Sequence, residues 1–212
     1  MGSYLILRIT KLKLKGERIV IRPLKRNDID KRLAWQEYPD PLYAHYNLKD
    51  ITQAQKREWY KKRKKDPKML YLAIDDLKGE LLGFLNLYDI DWENKKARLG
   101  IYLGYEYTGK GHGTESIKNF LPYYFERMKF RELGLDVASF NLRAIRCYLK
   151  CGFKLAGTKF NKHDPRSKID IFGDEKYKDI RKYFKKEGNE ILVQFEEMRM
   201  TDEIWYKNRT LL

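Results

Sequence analysis

Residues 107–114 read Tyr-Thr-Gly-Lys-Gly-His-Gly-Thr, with glycines at alternate positions 109, 111 and 113. Ahead of them lies an apolar, β-rich run at 97–103, and behind them residues 116–130 carry apolar side chains at helical spacing. A strand that turns through alternating glycines into a helix has few ways to fold. The turn is tight, and backbone N–H groups with no Cβ in front of them converge at the helix N-terminus. That end of a helix carries about half a positive charge, and Lys110 adds a full one. Such a junction suits a phosphate, although it also serves as a purely steric connection.

A second block points the same way. A strand is expected at 132–138, followed by Ser139, Phe140 and Asn141, a helix through Ala144, Cys147, Tyr148 and Lys150, and a stop at Cys151, Gly152 and Phe153. Here the chain resembles the GNAT superfamily of acetyl-CoA-dependent N-acetyltransferases. Gly109, Lys110, Gly111, His112 and Gly113 are similar to the family's pyrophosphate loop, R/Q-x-x-G-x-G/A. Asn141, Ala144, Tyr148, Gly152 and Phe153 are similar to its N-x-x-A-x-x-x-Y-x-x-x-G-F signature, where four spacings agree at once. Upstream, residues 18–24 and Asp28 resemble the opening of the branch that holds the Rim-type ribosomal-protein N-terminal acetyltransferases. The resemblance covers about residues 16–160 well. It departs at Thr108, where the family usually has Arg or Gln, and at Arg98, where this branch often has Glu.

The resemblance implies an α/β (α+β) fold: a single GNAT-like domain spanning 1–212, whose mixed, mostly antiparallel central sheet is splayed between strands 4 and 5, with helices on both faces. It implies acetyl-CoA as cosubstrate and no metal. The main chain of Ile101 and Leu103 would hold the pantetheine arm. Thr108, Gly109, Lys110, Gly111, His112 and Gly113 would hold the pyrophosphate. Asn141 would meet the pantetheine or phosphate region, cap the following helix, or both. Tyr148 would be the general acid for the departing thiolate, with core packing as its alternative role. The base stays open among Asp89, Asp91, Glu93 and Glu37, all of them equally suited to turns or surface. Arg98 suits an anionic group of the acceptor.

Composition narrows the class. With 42% hydrophobic and 14% aromatic residues, 212 residues can bury a sizeable core. No apolar run approaches the ~20 residues of a membrane helix, and no signal-peptide core opens the chain. A soluble, cytoplasmic monomer or homodimer is expected, without a membrane partner. Cys147 and Cys151 lie one helical turn apart, a poor disulfide geometry, and read as reduced thiols. His45, His112 and His163 are too scattered in sequence to suggest a metal cluster.

Lys and Arg outnumber Asp and Glu by 45 to 30, giving a net charge of +15. That balance favours anionic partners, among them coenzyme A itself, RNA or a ribosomal surface, and it also fits a solvated helix face. Lys56, Arg57 and residues 61–65 form one cluster, and residues 176–186 another. Transferred to the family's layout, the first cluster would line one wall of the acceptor cleft and repel a polycation.

Along the chain, a hairpin is expected over 4–23 around Gly16, and a short helix from Asn27 or Asp28. A second helix should open on the capping-box pattern Thr52, Gln53, Ala54, Gln55. Strands follow at 69–75, 80–88 and 95–103. Pro122 should kink or shorten the helix after the glycine loop. Residues 161–189 read as an insertion between the last two strands, with a helix between Asp174 and Lys186 that stops at Gly188; the final strand covers 190–200. The expected activity is N-acetylation of a primary amine. A protein N-terminus, with a ribosome-associated acceptor and nucleic acid as related partners, is the leading acceptor. A polyamine, amino sugar or antibiotic, or a non-catalytic CoA- or RNA-binding module, is the alternative.

Overall fold

The computed structural model describes residues 12–48, 51–164, 167 and 169–209. Their strands are β1 (Leu14–Lys15), β2 (Ile19–Pro23), β3 (Leu70–Asp76), β4 (Leu81–Asp91), β5 (Lys96–Leu103), β6 (Glu132–Ala138), β7 (Lys154–Lys162), β8 (Phe184–Glu187) and β9 (Glu190–Thr201). Their α-helices are α1 (Asp28–Leu33), α2 (Gln53–Lys65), α3 (His112–Pro122), α4 (Leu142–Lys150) and α5 (Asp202–Asn208). They make one mixed sheet in the order β1-β2-β3-β4-β5-β6-β9-β7, with β8 also on β9. Among the described pairs only β5 and β6 run parallel, as the crossover through α3 requires.

That parallel pair is short. Lys96, Ala97 and Arg98 face Glu132, Leu133 and Gly134, after which β5 runs on to Leu103 and β6 to Ala138 without pairing. The sheet therefore opens into a V. Just past the end of β5, Gly104 N–H donates to the Leu82 carbonyl on the β4 side at 2.9 Å. Backbone groups alternate sides along a strand, so Ile101 and Leu103 face the gap.

The sheet buries both faces. On one, Ile117, Phe120 and Tyr124 pack against Leu72, Ile74, Leu85, Leu99 and Leu133. On the other, Leu24, Ala73, Leu81 and Phe84 sit under Trp35, Trp59, Tyr71 and Tyr102. Each large apolar side chain removed from water in this way contributes about 1.5–3 kcal/mol. Arg22 ties the second face together, donating to Asp28 at 2.7 and 2.8 Å and to Asp75 at 2.6 and 2.9 Å.

Local signals mostly hold. The Thr52 hydroxyl accepts from Gln55 N–H while the Gln55 side chain accepts from Thr52 N–H, a complete capping box. Leu14 pairs with Ile21 and Lys15 with Val20 around Gly16, while residues 4–11 of the expected hairpin lie outside the described residues. Pro122 ends α3, and the chain continues as one turn of π-helix over Tyr123–Arg127, with Met128 N–H bonding Tyr123 at 2.9 Å.

The region 161–189 departs from expectation. Glu175–Tyr183 is a 3₁₀ helix rather than an α-helix. Its apolar residues Tyr177, Ile180 and Tyr183 recur every three positions, the period of a 3₁₀ turn, not of an α-helix. The expected helical end at 184–186 is instead strand β8. Gly188, with φ of 57°, opens a two-residue hairpin turn into β9 rather than stopping a helix. The terminal helix α5 was unforeseen: Thr201 caps it by accepting from Ile204 N–H, and Trp205 stacks on Phe125. No helix among the described residues is long and apolar enough to cross a membrane.

Candidate active site

A cavity of about 600 Å³ fills the V between β5 and β6. Its walls bring together most of the residues singled out in the sequence: Ile101, Leu103, Thr108, Gly109, Gly111, Gly113, Asn141 and Tyr148. Lys110 and His112 are not among the lining residues; the Lys110 carbonyl accepts from Arg18 at 3.0 Å, and His112 Nδ1 lies 3.3 Å from the Tyr107 carbonyl. Thr108 lines the cavity, but its hydroxyl donates to Tyr105 at 2.8 Å.

The glycine loop presents main chain to this space. Gly111 is left-handed at φ 85°, and a Cβ there would sit 3.1 Å from the Arg18 guanidinium, so glycine is needed for both conformation and approach. No side chain caps α3, whereas Thr52, Asn141 and Thr201 cap α2, α4 and α5. The first-turn N–H groups of α3 are therefore open to an anion. Arg18, invisible to the sequence reasoning, bonds Glu115 at 2.8 Å and brings a half-exposed cation to the loop.

Asn141 has its carbonyl oxygen on Ala144 N–H at 3.2 Å, which is the capping role; its amide still lines the cavity. Tyr148 is 7% exposed, with its ring edge-on to Phe153. Burial pushes its phenol well above the ordinary value of 10, helped by the nearby phenols of Tyr46 and Tyr88, so it stays protonated. One position earlier, Cys147 lies 3.2 Å from the Thr114 hydroxyl, and the neighbouring Cys151 thiol pulls its pKa below that of an ordinary thiol.

The other side of the cavity is aromatic. Tyr38, Tyr43, Tyr46, Tyr102 and Phe140 line it, with ring centres 5.3 to 6.1 Å apart along Tyr38–Tyr46–Tyr102. The Tyr38 hydroxyl donates to the Leu103 carbonyl at 2.8 Å, joining this wall to β5. A separate apolar cluster of Leu42, Ile171, Tyr177, Phe184 and Val193 backs it, with Tyr43 and Phe140 packed against that cluster. Lys176 reaches Asp40 at 4.0 Å across the same contact.

The base candidates fare differently. Asp89, Asp91 and Glu93 do not line the cavity, and Asp91 is occupied by the N–H groups of Glu93 and Asn94 in a turn. Glu37 lines a small recess behind Tyr38 and Tyr46. The carboxylates on the main cavity are Asp136 and Asp164, neither singled out beforehand. Arg98 pairs with Asp136, which also holds Lys159 at 2.8 Å. None of the basic residues of α2 lines the cavity, so the expected basic wall of the acceptor cleft is not where the resemblance put it.

Residues 18–154 match the acetyltransferase (GNAT) domain family, well over half of the chain. The protein belongs to that family. As a GNAT enzyme it takes an acetyl group from acetyl-CoA and passes it to an amine nitrogen. The spermidine N(1)-acetyltransferase of Escherichia coli is 28% identical over 147 residues, covering 66% of this chain and 74% of its own. A putative ribosomal N-acetyltransferase of Bacillus subtilis is 28% identical over 75 residues, 35% of this chain and 41% of its own. The spermidine N-acetyltransferase of Vibrio cholerae, solved with CoA and spermine, superposes with a TM-score of 0.65 at 19% identity, over 89% of this chain and 98% of that one.

The splayed sheet and uncapped α3 of this GNAT enzyme suit its cosubstrate, since they turn main-chain donors and acceptors toward a gap wide enough for a phosphate-bearing arm. Among the described residues no group of three or more His, Cys, Asp or Glu is placed to hold a metal ion.

Proposed function

We propose that the acceptor is the primary amine of a small, polyamine-like molecule. One observation carries this reading: one side of the cavity is a set of tyrosine faces backed by an apolar cluster, and while Arg143, Arg146, Lys150 and Lys162 also line the cavity, no lysine of α2 does. Aromatic faces attract an ammonium group, by about 0.5–2 kcal/mol each depending on desolvation. A pocket walled by rings on one side suits a small molecule better than a protein N-terminus, which needs a groove for the chain that follows. The Escherichia coli relative named for spermidine supports the same class. The Rim-type alternative rests on the shorter match to the Bacillus subtilis protein.

Acetyl-CoA supplies the activated thioester carbonyl. The N–H groups at the start of α3, with Arg18 beside them, bind the pyrophosphate, and the gap-facing groups of Ile101 and Leu103 hold the arm between the strands. Asn141 keeps α4 capped and offers its amide to the arm. The neutral amine attacks the thioester carbonyl, the C–S bond breaks, and Tyr148 gives its proton to the departing sulfur. Because burial makes the phenol a weak acid, the transfer is completed by the proton that the acetylated nitrogen sheds, which restores the phenol. The Arg98–Asp136–Lys159 cluster sets the charge at the strand-β6 wall and leaves Asp136 oriented toward the cavity.

The test is thiol release from acetyl-CoA with spermidine, spermine, an amino sugar and a peptide bearing a free N-terminus. Spermidine is expected to exceed the peptide in kcat/KM by roughly tenfold or more, the discrimination expected of shape and charge at a ring-lined site. A peptide that outperforms every small amine would return the acceptor to a protein N-terminus. Binding of acetyl-CoA with no thiol release from any amine would favour the non-catalytic module.

A further inference from the structure

Helix α2 carries most of the charge that the active site does not use. Its sequence, QAQKREWYKKRKK, has seven cations and one acid in 13 residues. Two of the cations have structural employment: Lys56 pairs with Asp30 at 2.6 Å, and Arg63 lies over the rings of Trp59 and Tyr71 at 4.3 and 4.9 Å. Arg57, Lys61, Lys62, Lys64 and Lys65 are exposed, and none has an ion-pair partner among the described residues. Arg57, Lys61 and Lys64 follow at i, i+4 and i+7, so they share one stripe, with Lys65 beside them.

Such an arrangement is not neutral for the helix. Arg57 and Lys61, and Lys61 and Lys65, are like charges at i, i+4, which oppose helix formation. The helix dipole accounts for basic residues in the last turn, but not for Arg57 and Lys61. The helix forms because of its capping box and because Trp59 and Tyr60 anchor it to the sheet. The outward stripe is thus held together against its own repulsion, ready for a polyanion.

We infer that the outer face of α2 docks the phosphate backbone of a nucleic-acid duplex, at a surface separate from the acetyl-transfer cavity. The stripe from Arg57 to Lys65 spans about 12 Å at 1.5 Å per residue, and a duplex carries a charge about every 1.7 Å of its axis. Single strands are bound on exposed aromatic platforms, whereas the aromatic residues of α2 are turned to the sheet. A lipid surface takes a helix by an apolar face, and the outer face of α2 has none. Contacts to phosphates carry no sequence or sugar preference. The inference is independent of the acceptor reading.

The experiment measures binding of the full chain to 20-base-pair RNA and DNA duplexes of one sequence across a salt series. Kd should rise roughly fiftyfold from about 50 to 200 mM salt, a slope of about −3, and be similar for the two duplexes. The variant carrying Lys61→Gln, Lys62→Gln, Lys64→Gln and Lys65→Gln should lose about tenfold or more in affinity and flatten the slope, by about one unit per phosphate contact removed. Its affinity for acetyl-CoA should match the parent's, which also reports that it is folded. A second variant neutralising Lys78, Lys178, Lys182 and Lys207, exposed lysines elsewhere, should lose less than threefold, on the order of long-range screening alone. Equal losses in the two variants would assign the attraction to net charge and overturn the docking face. So would parental affinity in the α2 variant, or tighter binding to phosphatidylserine vesicles than to either duplex.

Discussion

The two sides of the cavity are made of different material. The side proposed to hold the cofactor is main chain: gap-facing groups of Ile101 and Leu103, the turn at Gly109 and Gly111, and the uncapped start of α3. The side proposed for the acceptor is side chain, with Tyr38, Tyr43, Tyr46, Tyr102 and Phe140 forming a wall whose Tyr43 and Phe140 rest on a separate apolar cluster. A main-chain surface offers the same donors whatever residues flank it, so it tolerates drift and serves one ligand. A surface of rings takes its shape from the cluster behind it, and can be retuned by a single substitution.

The comparison breaks most readily on the cofactor side. Gly113→Asp places a carboxylate against the pyrophosphate position, where a Cβ would make only ordinary contacts with Leu103 and Cys147 at 3.8 and 3.9 Å. Acetyl-CoA affinity is expected to fall by roughly 10²-fold or more, with a fold change set by a like charge in a phosphate site, and Tm should move little. Calorimetric titration beside a thermal melt reads both. Retained affinity would remove the loop from the binding surface.

Between the two sides stands Tyr148. Tyr148→Phe should lower turnover by roughly 10²-fold while leaving acetyl-CoA affinity unchanged, as for a lost general acid. Because burial raises this phenol, its protonated form persists at high pH. The rate should therefore climb with deprotonation of the acceptor amine up to about pH 9–10 without a descending limb from Tyr148. A descending limb near pH 8 would assign the acid role to another group.

On the ring-lined side, Tyr43→Leu keeps apolar volume and removes one aromatic face. KM for the amine should rise about three- to tenfold, equivalent to ~1 kcal/mol of cation–π attraction, with acetyl-CoA affinity untouched. If both ligands weaken together, the two sides are not separable. A smaller effect sharpens the boundary. Cys147, its pKa pulled below that of an ordinary thiol, lines the cavity; it should be alkylated by iodoacetamide several-fold faster than an ordinary thiol at pH 7, and acetyl-CoA should slow that labelling. Mass spectrometry of the labelled residue, with Cys147→Ser as reference, gives the rates.

The same division explains what could be read ahead of the fold. Thr52 with Gln55, and Asn141 before its helix, act within one turn of themselves, so spacing alone revealed them. The glycine loop is also local. Arg18 meets Lys110 and Glu115 across more than ninety positions, and Asp136 finds Arg98 across the open sheet, so neither leaves a mark in any short window. The segment Glu175–Tyr183 misled because Tyr177, Ile180 and Phe184, with Asp174 and Glu175 ahead and lysines behind, are spaced and charged like an α-helix, although Phe184 begins β8. The basic residues of α2 were conspicuous, but charge along a helix does not tell which way that helix faces. The tyrosines at 38, 43 and 46 carry no motif and drew no notice in the sequence; only packing, with Tyr43 against the cluster of Ile171, Tyr177 and Phe184, made them a wall.

That packing has a consequence for how such an enzyme changes over generations. The family match ends at residue 154, while the cluster behind the ring-lined wall draws on Ile171, Tyr177, Phe184 and Val193 beyond it and on Leu42 alone among its buried members before it. Replacing the stretch between β7 and the last strand would alter what the wall admits while the acetyl-donor side kept every residue it has. The chain is in this sense built as a fixed engine with an exchangeable mouthpiece, and its near relatives can be expected to differ in length and sequence there first.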